Sequence, residues 1–108
     1  MNPLGLHSVH HIAIICSDYA RSKAFYTEDL GLETIREVYR AERNSYKLDL
    51  ALNEHYVIEL FSFPNPPARP SRPESTGLRH LAFQVENLDF TVQELSKKGI
   101  TSEPIRID

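Results

Sequence analysis

The sequence predicts an α+β fold in which a β-α-β-β-β pattern runs once and then restarts. Three observations carry that prediction: short apolar runs rich in β-branched residues, two segments of helical spacing each followed by a glycine, and a histidine-bearing strand start that occurs twice.

The elements follow in order. Val9 to Cys16 is apolar, β-branched and too short for a typical helix, so it reads as a strand buried on both faces. Ser17 or Asp18 then offers an N-cap. Ala20, Ala24, Phe25, Tyr26 and Leu30 keep helical spacing up to Gly31, which can take the positive φ of a helix end. Leu32 to Tyr39 reads as a second strand. In Lys47 to Leu52 the leucines 48, 50 and 52 alternate with Lys47, Asp49 and Ala51, the mark of a strand with one apolar face. Asn53-Glu54-His55 is a hairpin loop, and Tyr56 to Phe63 is the most apolar strand.

Five of the seven prolines fall between Pro64 and Pro73, a composition that favours an extended connector. Beyond it, Leu78 to Val85 reads as a strand and Asn87 as a cap. Leu88 to Lys98 reads as a helix ended by Gly99, and Thr101 to Ile107 as another extended segment. His11-Ile12-Ala13-Ile14 aligns with His80-Leu81-Ala82-Phe83, and Asp18 with Asn87, which implies an internal duplication. The expected organisation is one domain over residues 1–108. It comprises a first module at 8–63, a linker at 64–77, and a second module at 78–108 that lacks its last strands.

Composition narrows the function classes. With 108 residues, 41% hydrophobic and 25% charged, the chain supports one small globular domain. A net charge of −3 gives no electrostatic footprint for nucleic acid or anionic membrane. One cysteine excludes an intrachain disulfide, and no signal peptide or membrane-length apolar run is evident, so a cytoplasmic location is expected. There is no glycine-rich phosphate loop, nucleophile elbow or CxxC motif.

His11, Glu59 and His80 interrupt apolar strands with side chains that bind metals. A carboxylate buried without a partner costs several kcal/mol, so Glu59 should be protonated, salt-bridged or metal-bound. Either histidine taken alone is more often a satisfied core residue than a ligand. Alternation separates His10, with Ile12 and Ile14 on the helix side, from His11, and the duplication selects His11 because it matches His80. Imidazole and carboxylate together suit Zn²⁺, Ni²⁺, Mn²⁺ or Fe²⁺ and leave room for water or substrate. Lys47 and Asp49, opposite the leucine face, either contact substrate or form a solvated, salt-bridged face. Arg36, Arg40 and Arg43 either grip an anionic substrate or are exposed strand and loop charges.

Taken together, His10-His11-Ile12-Ala13-Ile14, the helix Ser22-Lys23-Ala24-Phe25-Tyr26 leading to Leu30-Gly31, Val57-Ile58-Glu59-Leu60 and Arg79-His80-Leu81-Ala82-Phe83 resemble the vicinal oxygen chelate superfamily. That superfamily includes glyoxalase I, fosfomycin- and bleomycin-resistance proteins, methylmalonyl-CoA epimerase and extradiol dioxygenases. The likeness is greatest to small bacterial glyoxalase I-like proteins and covers the chain from Val9 onward. It implies paired βαβββ modules whose mixed sheet curls into a cup around one divalent metal, Ni²⁺ or Zn²⁺ first and Mn²⁺ or Fe²⁺ next. By the resemblance His11, Glu59 and His80 are metal ligands and Glu59 is the candidate catalytic base, while Lys47 and Asp49 stay candidate substrate contacts on their strand alternation alone. A fourth ligand, the counterpart of Glu59, would fall about twenty residues past Asp108. The implied activity is that of a lactoylglutathione lyase-like metalloenzyme acting on a small molecule, with a homodimer as the expected assembly. A non-catalytic binding or resistance protein and an extradiol-type dioxygenase are the alternatives.

Overall fold

Why the central strands form is plain from their alternation. Leu48 and Leu50 on one strand and Ile58 and Leu60 on the next are completely or almost completely buried. Each contributes about 1.5–3 kcal/mol by leaving water. The computed structural model describes residues 1–107 and divides after Ala68 into two units.

The first unit contains β1 (Ile12–Cys16), α1 (Tyr19–Ala24), β2 (Glu33–Arg40), β3 (Ser45–Leu52) and β4 (His55–Ser62). The four strands form one mixed sheet in the order β1-β4-β3-β2. β1 runs parallel to β4, and the other pairs are antiparallel. Cys16 and Leu32 complete the buried core, with Ile12, Ile14, Tyr19 and Tyr26 packed partly against it. Asp18 caps α1, its Oδ1 accepting from the Arg21 N–H at 3.1 Å. The helix continues as a wider π turn over Phe25–Asp29 before Gly31 takes φ +77 and turns the chain into β2. Asn53 and Glu54 both adopt positive φ, the pattern of a tight two-residue hairpin, so His55 begins β4 rather than ending a loop.

Two features of β1 differ from expectation. It starts at Ile12, where pairing to Ile58 begins, so His10 and His11 precede the ladder. Nor is it buried on both faces: the helical segment packs on one face only, and Ile15 on the other is 58% exposed.

The second unit holds α2 (Leu88–Lys97). Asn87 caps it as the sequence predicts, Oδ1 accepting from the Phe90 N–H at 2.9 Å, and Gly99 follows with φ +81. The strand expected at residues 78–85 does not form, and the segment 101–107 joins no ladder. β1 is a strand because β4 offers it a hydrogen-bonding ladder, and no described segment after Ala68 offers one to 78–85. No helix among the described residues is long and apolar enough to cross a membrane.

Candidate metal centre on the open sheet face

Strand register assembles the site. Ala13, Glu59, Asp49 and Arg36 are partners across all four strands, on the face opposite the leucine core. Ile15, Phe61, Lys47 and Val38 form the next row. His11, two residues before Ala13, puts its Nε2 3.4 Å from Glu59 Oε2. Tyr56 donates its hydroxyl to the same carboxylate oxygen at 2.5 Å. Lys47 Nζ lies 2.8 Å from Asp49 Oδ1 and 3.4 Å from Glu59 Oε2. Two carboxylates thus sit together on one sheet face, Asp49 buried and Glu59 only 17% exposed, because a cation and a phenol stand between and beside them.

The electrostatics follow from these contacts. Tyr56's hydrogen bond holds the Glu59 carboxyl below the usual carboxylate range; burial opposes that shift, and the charges of Lys47 and His11 add to it. Burial pushes the Tyr56 phenol well above its ordinary value, and its bond to Glu59 and the adjacent Asp49 push the same way. Lys47 is held above its usual range chiefly by Asp49. At neutral pH the cluster therefore pairs an ionised Glu59 with an intact phenol and an ammonium.

His10 joins the cluster from outside the ladder. Its Nδ1 is 2.8 Å from His11 Nδ1, and both rings lie beside Tyr56, with centroids 5.2 and 5.0 Å from the phenol ring. It does not face the helix, because a residue ahead of the first paired position is not bound by the strand's alternation. Where His11 donates Nδ1–H to His10, the lone pair of His11 Nε2 is left facing Glu59, the tautomer a metal ligand requires.

Of the residues singled out from sequence, His11 and Glu59 come together, and Lys47 and Asp49 share their face as an ion pair. His80 belongs to the second unit, where it lines a polar concavity with Arg69, Arg72, Glu74 and Arg79. Among the described residues no three His, Cys, Asp or Glu side chains gather as a ligand set. Sequence reasoning missed Tyr56 and His10. The adjacent His10-His11 pair was the available signal for His10.

Comparison with known proteins places the chain in a family. The model of the Glyoxalase/Bleomycin resistance protein/Dioxygenase superfamily matches residues 8–107. YwkD of Bacillus subtilis (strain 168) is 68% identical over 103 residues, 95% of this chain and 80% of that protein. YaeR of Escherichia coli (strain K12) is 61% identical over 105 residues, 97% of this chain and 81% of that protein. Among solved structures, a glyoxalase family protein from Enterococcus faecalis superposes with a TM-score of 0.86 at 48% identity, covering 94% of this chain and 79% of that one.

Proposed function

Because the chain belongs to the Glyoxalase/Bleomycin resistance protein/Dioxygenase superfamily, we propose that it is a glyoxalase-like lyase or isomerase using a divalent metal held by His11 and Glu59. His80, the counterpart of His11 in the restarting pattern, is proposed as the further imidazole ligand. The observation that carries the reading is the 3.4 Å separation of His11 Nε2 and Glu59 Oε2. Two donors on one tetrahedral ion, each about 2.1 Å from it, stand about 3.4 Å apart, so this pair fits a metal. Zn²⁺ or Ni²⁺ suits an imidazole and carboxylate set, with Mn²⁺ or Fe²⁺ next.

Such an ion supplies Lewis acidity to vicinal oxygens of the substrate. The chain's own residues supply the rest. His11 and Glu59 fix the position of those oxygens over the sheet. Glu59 Oε2, ionised at neutral pH, takes a proton from one substrate carbon and returns it to its neighbour. Tyr56 tunes that oxygen: while its hydroxyl donates there it stabilises the anion, and turning toward the neighbouring Asp49 restores basicity. Lys47 remains with Asp49, its closer partner, and neutralises the second carboxylate beside the reacting atoms.

A second reading, a binding protein without catalysis, draws on the three partners that already occupy Glu59 Oε2: Tyr56, Lys47 and His11. Turnover separates the two. Protein reconstituted with Ni²⁺ or Zn²⁺ should convert the hemithioacetal of methylglyoxal and a thiol to its thioester. His11→Ala, His80→Ala and Glu59→Gln should each abolish the conversion. No thioester from the metal-loaded wild-type protein would overturn the lyase reading.

A further inference from the structure

The connection between β2 and β3 returns two guanidinium groups across the open sheet face. Arg40 ends β2, Arg43 closes a single 3-10 turn over Ala41–Arg43, and Asn44 in the left-handed conformation (φ 48) reverses the chain into β3. Arg40 Cζ lies 5.2 Å from the centroid of the Phe61 ring, and Arg43 Cζ lies 5.1 Å from that of Phe63. The two rings are themselves stacked, 5.9 Å apart and inclined by 12°. A guanidinium lying on an aromatic face keeps the N–H groups along its edge free to donate.

Those donors lack anionic partners among the described residues. Arg40 gives one Nη2 hydrogen to Ser45 Oγ at 3.3 Å, while its Nε is buried with no hydrogen-bond partner among the described residues. No described carboxylate forms an ion pair with either arginine. Burying a charged donor without a partner is costly, and such a group calls for a water, an ion or a ligand to complete it. Beside it, Ile15, Phe63, Pro64 and Pro67 line an apolar groove with Arg43.

The position along the sheet sets the geometry. Phe61 follows Glu59 by two residues on the same face, about 7 Å along the strand, and Phe63 lies about 13 Å along. We propose that Arg40 and Arg43 form a clamp for a carboxylate of the substrate, carried on an apolar segment about 7–13 Å from the oxygens held at Glu59. This rests on the proposed function for the position of the substrate's other end. The clamp itself rests on the arginines and the phenylalanines alone.

Matched hydroxamates test the proposal, since a hydroxamate chelates through vicinal oxygens. Suberic acid monohydroxamate ends in a carboxylate; octanohydroxamate has the same chain length and ends in a methyl group. On metal-loaded protein, the carboxylate-ended ligand should bind about tenfold more tightly by calorimetry. Arg40→Gln and Arg43→Gln should each bring the two ligands close to parity, while octanohydroxamate affinity and metal content stay at wild-type levels. Arg43 is outside the strands, so its variant keeps the test open if Arg40→Gln impairs folding. Equal affinities in the wild-type protein, or an advantage that survives both substitutions, would overturn the clamp. If neither hydroxamate binds, chelation at Glu59 fails, and phenylacetate against phenylacetamide decides the clamp without a metal. Shifts of the Phe61 and Phe63 ring resonances with the acid alone support it, and identical titrations overturn it.

Discussion

Replacing Tyr56 with Phe removes one hydroxyl and leaves the ring against His10 and His11. The lost bond is short, 2.5 Å to Glu59 Oε2, and its acceptor is ionised, which puts it among the stronger hydrogen bonds in proteins, about 1.5–3 kcal/mol. Glu59 is 17% exposed and keeps Lys47 and His11 nearby, so water and the remaining partners recover part of that. A loss of about 1.5 kcal/mol on urea denaturation is the expected size. The titration gives a sharper reading. The Glu59 carboxyl is depressed in the folded protein, foremost by Tyr56, so its contribution to stability is complete above the unfolded carboxylate's pKa. That contribution is lost as pH falls through the lower folded value. Tyr56→Phe should move the Glu59 carboxyl resonance to titrate at higher pH; the acid loss of stability it carries, which still starts at the unfolded carboxylate's pKa, should become smaller and be complete at a higher pH. Unchanged Glu59 titration together with unchanged stability would refute the claim that Tyr56 sets this carboxylate.

Other substitutions test neighbouring links. Leu60→Ala opens a cavity in a fully buried position between β1 and β3 and should cost about 3–5 kcal/mol on urea denaturation. Asp18→Ala removes the side-chain acceptor at the start of α1 and should cost about 1 kcal/mol, whereas Asp18→Asn should retain most of it. His10→Ala removes the Nδ1 partner of His11, and metal affinity measured by competition with a chelator should fall about tenfold to a hundredfold with the fold intact by circular dichroism.

Local chemistry made much of the first unit legible. Asp18 and Asn87 cap their helices and Gly31 and Gly99 follow them, because an orphaned N–H and a positive φ each demand particular residues. Leu48 and Leu50 face the core as their alternation with Lys47 and Asp49 requires. The same alternation explains why Tyr56 was missed. It stands three residues before Glu59, which in a regular strand puts it on the opposite face. Between Leu50 and Ala51 the register slips: Leu50 pairs with Ile58 but Ala51 pairs with Tyr56, so Val57 is the extra residue and Tyr56 is re-aimed toward Glu59. A bulge of this kind leaves no mark in the apolar pattern. For residues 78–85 the pattern was strand-like, but a strand exists only with a partner ladder, and pairing is not a property of one segment.

The central claim is that His11 and Glu59 are two ligands of one ion, and metal stoichiometry tests it most directly. After reconstitution with Ni²⁺, Zn²⁺, Mn²⁺ or Fe²⁺ and removal of the excess, elemental analysis should find about one tightly held ion per chain in the wild-type protein. It should find little or none in His11→Ala or Glu59→Gln. No retained ion with any of the four metals, or the same content in Glu59→Gln as in the wild-type protein, would contradict it.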